Sequence, residues 1–201
     1  MTTETILSLF LGIGLAASAG FRVFLPLFAL SLSSHFDFIP LNESWAWVGG
    51  IPAMISLRIA MIAEILGYYI PFVDNLLDTI AIPLAAMAGT AAMASTLVHI
   101  DPMMTWGLAI IAGGGTATAM QGMTTMTRLA SSVKTAGLGN PVVSTAETGT
   151  AITLSSLAIF LPIVAFVIVI LIFVLIYWLF KKFKKFKDFK HNPKNLRTSE
   201  S

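Results

Sequence analysis

The chain has 201 residues, of which 56% are hydrophobic and only 11% charged, with a mean hydropathy of +0.85. That balance lies outside the range of ordinary soluble domains and inside that of multi-span membrane proteins, and it excludes a sizeable soluble domain on either side of a bilayer. The absence of cysteine excludes a disulfide framework and a thiolate metal site, and the net charge of +2 divides into +6 after Phe180 (eight Lys or Arg against two acids) and −4 before it (four against eight).

The start, MTTETILSLF, lacks the basic region of a cleaved signal peptide, so its apolar run is expected to be a retained first span. Apolar segments follow one another at about 5–32, 46–68, 76–98, 104–129 and 150–180. Each is near or above the roughly 20 residues that cross a bilayer as a helix. Pro40 with Asn42, Pro71, Asp101-Pro102 and the run from Gly137 to Pro141 mark the turns between them. Trp45, Trp47 and Trp106, and Tyr177 with Trp178, sit at the expected boundaries, where amphipathic rings belong.

The last apolar run is too long for one simple span: as a helix it would reach roughly 46 Å, and Pro162 interrupts it. Arg128 and Lys134 make the loop before Asn140 basic, whereas loops 37–43 and 99–101 contain no Lys or Arg. Splitting the run near Leu161 puts that basic loop and the tail on the same cytoplasmic side. Six membrane segments are therefore preferred over five with an external N-terminus. Segment 142–161, weakened by Gly149 and Ser155-Ser156, is expected to be a half-helix or re-entrant element. The domain reading is an integral membrane domain over 1–180 and a basic cytoplasmic tail over 181–201, in which Phe183, Phe186 and Phe189 recur every third residue. Such a tail orients the protein and attracts anionic headgroups.

GYYIPFVDN from Gly67 aligns with GLGNPVVST from Gly137, matching Gly, Pro and Val and setting Asp74-Asn75 against Ser144-Thr145. A carboxylate follows in each copy, Asp78 and Glu147, and GIGLAASAG from Gly12 shares a small-residue pattern with GGGTATAMQG from Gly113. The expectation is two degenerate repeats, about 5–98 and 104–180, of the kind that place a transporter site at their interface. GLGNPVVSTAE, the preceding IPFVDNLLD, the early GLAASAGFRVFLPL and AEILGYY together resemble an uncharacterised bacterial membrane family, domain of unknown function 4126. The resemblance covers nearly all of the chain before the tail. It implies an all-helical fold in a bacterial inner membrane and brings no activity with it.

The carboxylates carry the functional question. An ionised carboxylate in lipid must be at the interface, paired, protonated or bound to a cation. Asp74 and Asp78, spaced i to i+4, share one helix face, where one of them is enough to cap the helix. Glu64 and Glu147 add two more acids near the same expected membrane face, and Arg22 lies deep in the first segment, where it needs an internal carboxylate or a watery cavity.

Enzyme templates fail. HExxH, a Walker loop and GxSxG are absent, and His35, His99 and His191 have no partner at metal spacing. Gly113-Gly114-Gly115 reads as a close-packing surface. The sequence thus predicts an all-α polytopic membrane bundle, not an enzyme, with no cofactor, no metal and no nucleic-acid partner. Its expected function is transport or translocation of a small or lipid-linked substrate, coupled to a proton or cation. Interrupted helices near Pro71 and Pro141 would gather Asp74, Asn75, Asp78, Glu147 and Glu64 around a polar cavity, with Asn140, Ser144 and Thr145 supplying polar groups and Arg22 or Arg128 holding an anionic group. The alternatives are a membrane scaffold, with homo-oligomerisation through its small-residue faces, and an intramembrane lipid-modifying enzyme.

Overall fold

A computed structural model describes residues 3–70, 73–135 and 139–190, without the side chains of 75, 134, 179, 180 and 183–190. The described residues form helices and turns only: α1 (Thr3–Ala19), α2 (Phe24–His35), a 3-10 turn (Glu43–Gly49), α3 (Ile51–Gly67), α4 (Val73–Thr96), α5 (Pro102–Leu108), a π segment (Ala109–Gly114), α6 (Gly115–Thr135), α7 (Asn140–Phe160) and α8 (Pro162–Lys190). Local chemistry sets the ends. The Asp101 carboxylate accepts from the Met103 amide and Pro102 opens α5; Asn42 accepts from the Ser44 amide ahead of the 3-10 turn; Pro141 stands in the first turn of α7. Leu161, at φ −138° and ψ 64°, breaks the chain between α7 and α8, as the sequence leads one to expect.

The chain divides into two units, residues 1–166 and 167–201. The first holds α1 to α7 and the start of α8. The second is the rest of α8, which exposes Ile170, Leu171, Val174 and Leu175 and sets Lys182 Nζ 5.1 Å from the Trp178 ring.

Residues 5–32 do not form the single span expected of them. Ser18 meets Ala151 and Ser155 on α7 while Phe10 stacks on Phe166, so α1 runs against α7. Arg22 meets Ser144 while Phe38 lies against Phe160, so α2 runs along α7. The two are a helical hairpin that turns at Gly20 to Val23. Gly20 is buried against the start of α6, next to Ala117 and Met120, and Pro26 falls in the first turn of α2, where a missing amide costs nothing. Nor is segment 142–161 a half-helix: α7 is continuous over 21 residues, about 31 Å. Among the described residues helices break at the hairpin turn, at the π segment and at Leu161; Pro141 stands in the first turn of α7, and Pro71 lies outside the described residues.

Small residues fill the interior. Ala16, Ala17, Ala19, Ala85, Ala88, Ala92 and Ala117 are buried, and backbones approach closely: a Cβ on Gly113 would lie 2.5 Å from the Gly89 carbonyl oxygen, and one on Gly12 would lie 2.7 Å from Thr96 Oγ1. Gly113 and Gly114 do face α4 as a packing surface, whereas Gly115 and Gly122 face open space. Large apolar side chains point outward, including Ile51, Ile55, Ile59, Ile62 and Leu66 along α3. Among the described residues one helix, Leu76–Thr96, is long and apolar enough to cross a membrane, and a second counts if the pair Glu43–Gly49 and Ile51–Gly67, bent by 65°, is taken as one span.

Candidate ion-pair site

α3 and α6 end, and α2, α4 and α7 begin, at the same end of the first unit as the hairpin turn. Each contributes a charged or polar residue. Arg128 is reached from the C-terminal third of α6. Its Nε donates to both oxygens of Glu147, at 3.0 and 3.1 Å, its Nη2 donates to Glu147 Oε2, and its Nη1 donates to Asp74 Oδ1 at 2.6 Å. Asp78, one turn after Asp74, lies 3.7 Å from the same Nη1. One guanidinium therefore serves three carboxylates from two helices, in the forked geometry that suits arginine better than lysine.

Arg22, at the hairpin turn, is completely buried. Its Nε donates to Thr148 Oγ1 at 2.9 Å, and its Nη2 donates to the Ser144 carbonyl at 2.9 Å and to Ser144 Oγ at 2.5 Å, with Glu147 Oε2 at 3.6 Å. Nη1 has no hydrogen-bond partner. The internal carboxylate that this arginine requires is thus Glu147, shared with Arg128. Both guanidiniums also lie against the buried ring of Tyr68, with Arg22 Cζ at 4.2 Å from its centroid and Arg128 Cζ at 3.9 Å. The negative ring face attracts each cation.

The remaining polar groups have distinct roles. Glu64 accepts from the amides of Val23 (2.7 Å) and Phe24 (3.0 Å), so a carboxylate of α3 caps α2 and meets the positive end of its dipole. Asn140 donates from Nδ2 to Asp74 Oδ2 at 2.9 Å and is itself bonded to Ser132. Thr145 points elsewhere: it is exposed, donates to the Pro141 carbonyl and pairs with the Tyr69 hydroxyl at 2.8 Å. The Asn75 side chain lies outside the described residues.

Over residues 9–182 the chain matches the family described as domain of unknown function (DUF4126). It belongs to that family. No curated protein and no solved structure matches it. The resemblance of GLGNPVVSTAE and IPFVDNLLD to the DUF4126 pattern is therefore confirmed at the level of the family, and in this DUF4126 chain those two stretches deliver Asp74, Asp78, Asn140, Ser144 and Glu147 to one cluster.

Sequence reasoning missed two members and the role of a third. Tyr68 carried no signal beyond its place in AEILGYY. Thr148, which holds Arg22, stands four residues after Ser144 and so on the same face of α7, a spacing that could have found it. Glu64 was recognised as an acid, but its role as the cap of another helix follows only from the hairpin. The cluster is densely paired. The volumes of about 410 and 500 Å³ lined by His99, Val98 and Pro40 lie at the opposite end of α4.

Proposed function

We propose that this DUF4126 protein is a polytopic membrane bundle that moves a small or lipid-linked substrate across the bilayer, coupled to a proton or cation exchanged at the cluster of Asp74, Asp78, Glu147, Arg22 and Arg128. The observation that carries the reading is the burial of two arginines with Asp74 and Glu147, and of Asp78 in part, at the meeting point of the hairpin turn, α4, α6 and α7. Ionisable groups in a lipid-solvated bundle are costly, and where they persist they line ion or substrate paths.

A membrane setting is supported by the reversed polarity of the bundle, with Ala, Gly and Ser inside and Ile, Leu, Val and Met outside. Trp45 gathers Trp47 and Trp106, with ring centroids at 6.2 and 6.4 Å, at the end opposite the cluster, as an interfacial belt would. Loops at that end carry Asp37, Glu43 and Asp101 and no Lys or Arg, while Arg128 and Lys134 approach the other end, which favours a cytoplasmic position for the cluster. The first turns of α4 and α7 both feed the cluster, through Asp74 and Asn140, in keeping with a degenerate repeat.

The test is transport by the purified full chain in proteoliposomes, with a pH gradient imposed and a panel of small anions, small cations and lipid-linked phosphates offered. The reading expects gradient-driven movement of at least one class, abolished by Asp78→Asn with the unfolding temperature nearly unchanged and by Glu147→Gln in a form that stays folded though less stable. If both variants simply unfold, the acids are structural ion-pair partners. The scaffold alternative is favoured by one observation, the exposed apolar stripe of α3, and expects a bulky replacement there to dissociate a complex while leaving the cluster intact.

A further inference from the structure

Asp78 differs from every other acid of the cluster. Glu64 is matched by two backbone amides, Asp74 by Arg128 and Asn140, and Glu147 by a two-nitrogen fork from Arg128 with Arg22 beside it. Among the described residues Asp78 has only the 3.7 Å approach of Arg128 Nη1, and its buried Oδ1 has no hydrogen bond to any of them. Its side chain nevertheless keeps 19% of its surface, more than the other members of the ion pairs. A carboxylate oxygen buried without a donor is expensive, and protonation removes most of that expense.

Charge counting points the same way. With Glu64 matched by the amides that open α2, two guanidiniums face Asp74, Asp78 and Glu147, which leaves one negative charge over. The groups around Asp78 are Arg128 from α6, Asp74 on its own helix, Glu147 from α7, Arg22 from the hairpin turn, and Tyr68 at the C-terminal cap of α3. A metal cation placed at Asp78 would sit within reach of the Arg128 guanidinium, which repels it; a proton enters the carboxyl group itself and leaves Arg128 free to stay on Asp74 and Glu147.

We propose that the ion exchanged at the cluster is a proton carried by Asp78, and not an alkali or divalent cation. This rests on the coupled-transport reading above. The step is a simple protonation: hydronium on the accessible side gives its proton to the Asp78 carboxylate, leaving water and a neutral carboxylic acid, and the reverse step returns the proton.

The test is infrared difference spectroscopy on the full chain in lipid nanodiscs, between mildly acidic and mildly alkaline buffer. One carboxylic C=O band that appears on acidification, is lost in Asp78→Asn and returns shifted in Asp78→Glu supports the proposal, as does indifference of that band to sodium, potassium or magnesium. Persistence of the full band in Asp78→Asn, or its displacement by one of those cations at constant pH, overturns it. Because the readout needs no substrate, a failed transport assay beside a positive band separates the loss of the transport reading from the loss of this one.

Discussion

Gly89 and Gly113 bring α4 and the π segment so close that one added Cβ would overlap a carbonyl oxygen. About 16 Å back along the same helix, Asp78 and Asp74 reach α6 and α7 through polar groups, the guanidinium of Arg128 and the amide of Asn140. The first contact depends on shape and tolerates no added volume. The second depends on complementary charge, and a change that keeps volume but removes one partner strands the others. The two devices divide the bundle: close backbone packing along α4, ion pairing at one end.

Breaking the charged end should cost most. Arg128→Ala leaves Asp74 and Glu147 buried without their donor and is expected to lower stability by about 3–5 kcal/mol, read by denaturant unfolding in detergent micelles; a loss under about 1 kcal/mol would mean that water already serves these acids. Overpacking the seam comes next. Gly113→Leu is expected to cost about 1–3 kcal/mol or to prevent folding, while Gly122→Leu, which meets open space, stays within about 0.5 kcal/mol of the parent. Similar losses at both positions would show that crowding at the seam is not the reason. Glu64→Gln sharpens the picture within the charged end, because an amide keeps an acceptor for the α2 amides but loses the charge; about 1 kcal/mol is expected, with faster hydrogen exchange at Val23 and Phe24 as the local sign. Asp78→Asn should be the mildest, under about 1 kcal/mol in stability, since its burial is the least complete and its pairing the longest.

Much of the site was legible in one dimension. Asp74, Asp78 and Glu147 stood out because acids are rare in an apolar chain, and Arg22 required an internal acid for the same reason. The break at Leu161 and the packing role of Gly113 and Gly114 followed from Pro162 and from a glycine run in an apolar helix. The first segment misled because length and hydropathy over 5–32 are those of one tilted span, and only Gly20 and the polar Arg22 hinted at a turn. Hydropathy records how apolar a run is, and says nothing of whether it goes straight across or folds back upon itself.

Composition and periodicity therefore determined the helical class, the apolar solvent these helices are suited to and the set of charged residues that demand partners, because those are properties of each residue and its near neighbours. Only the tertiary structure decided which partners they took: Glu147 for both arginines, Tyr68 against them both, Glu64 for the amides of α2, and Asp78 left with an oxygen unmatched among the described residues. The farthest of those pairings links Arg22 with Glu147, and the geometry of them all is set by the angles at which five chain segments meet, which no local pattern encodes.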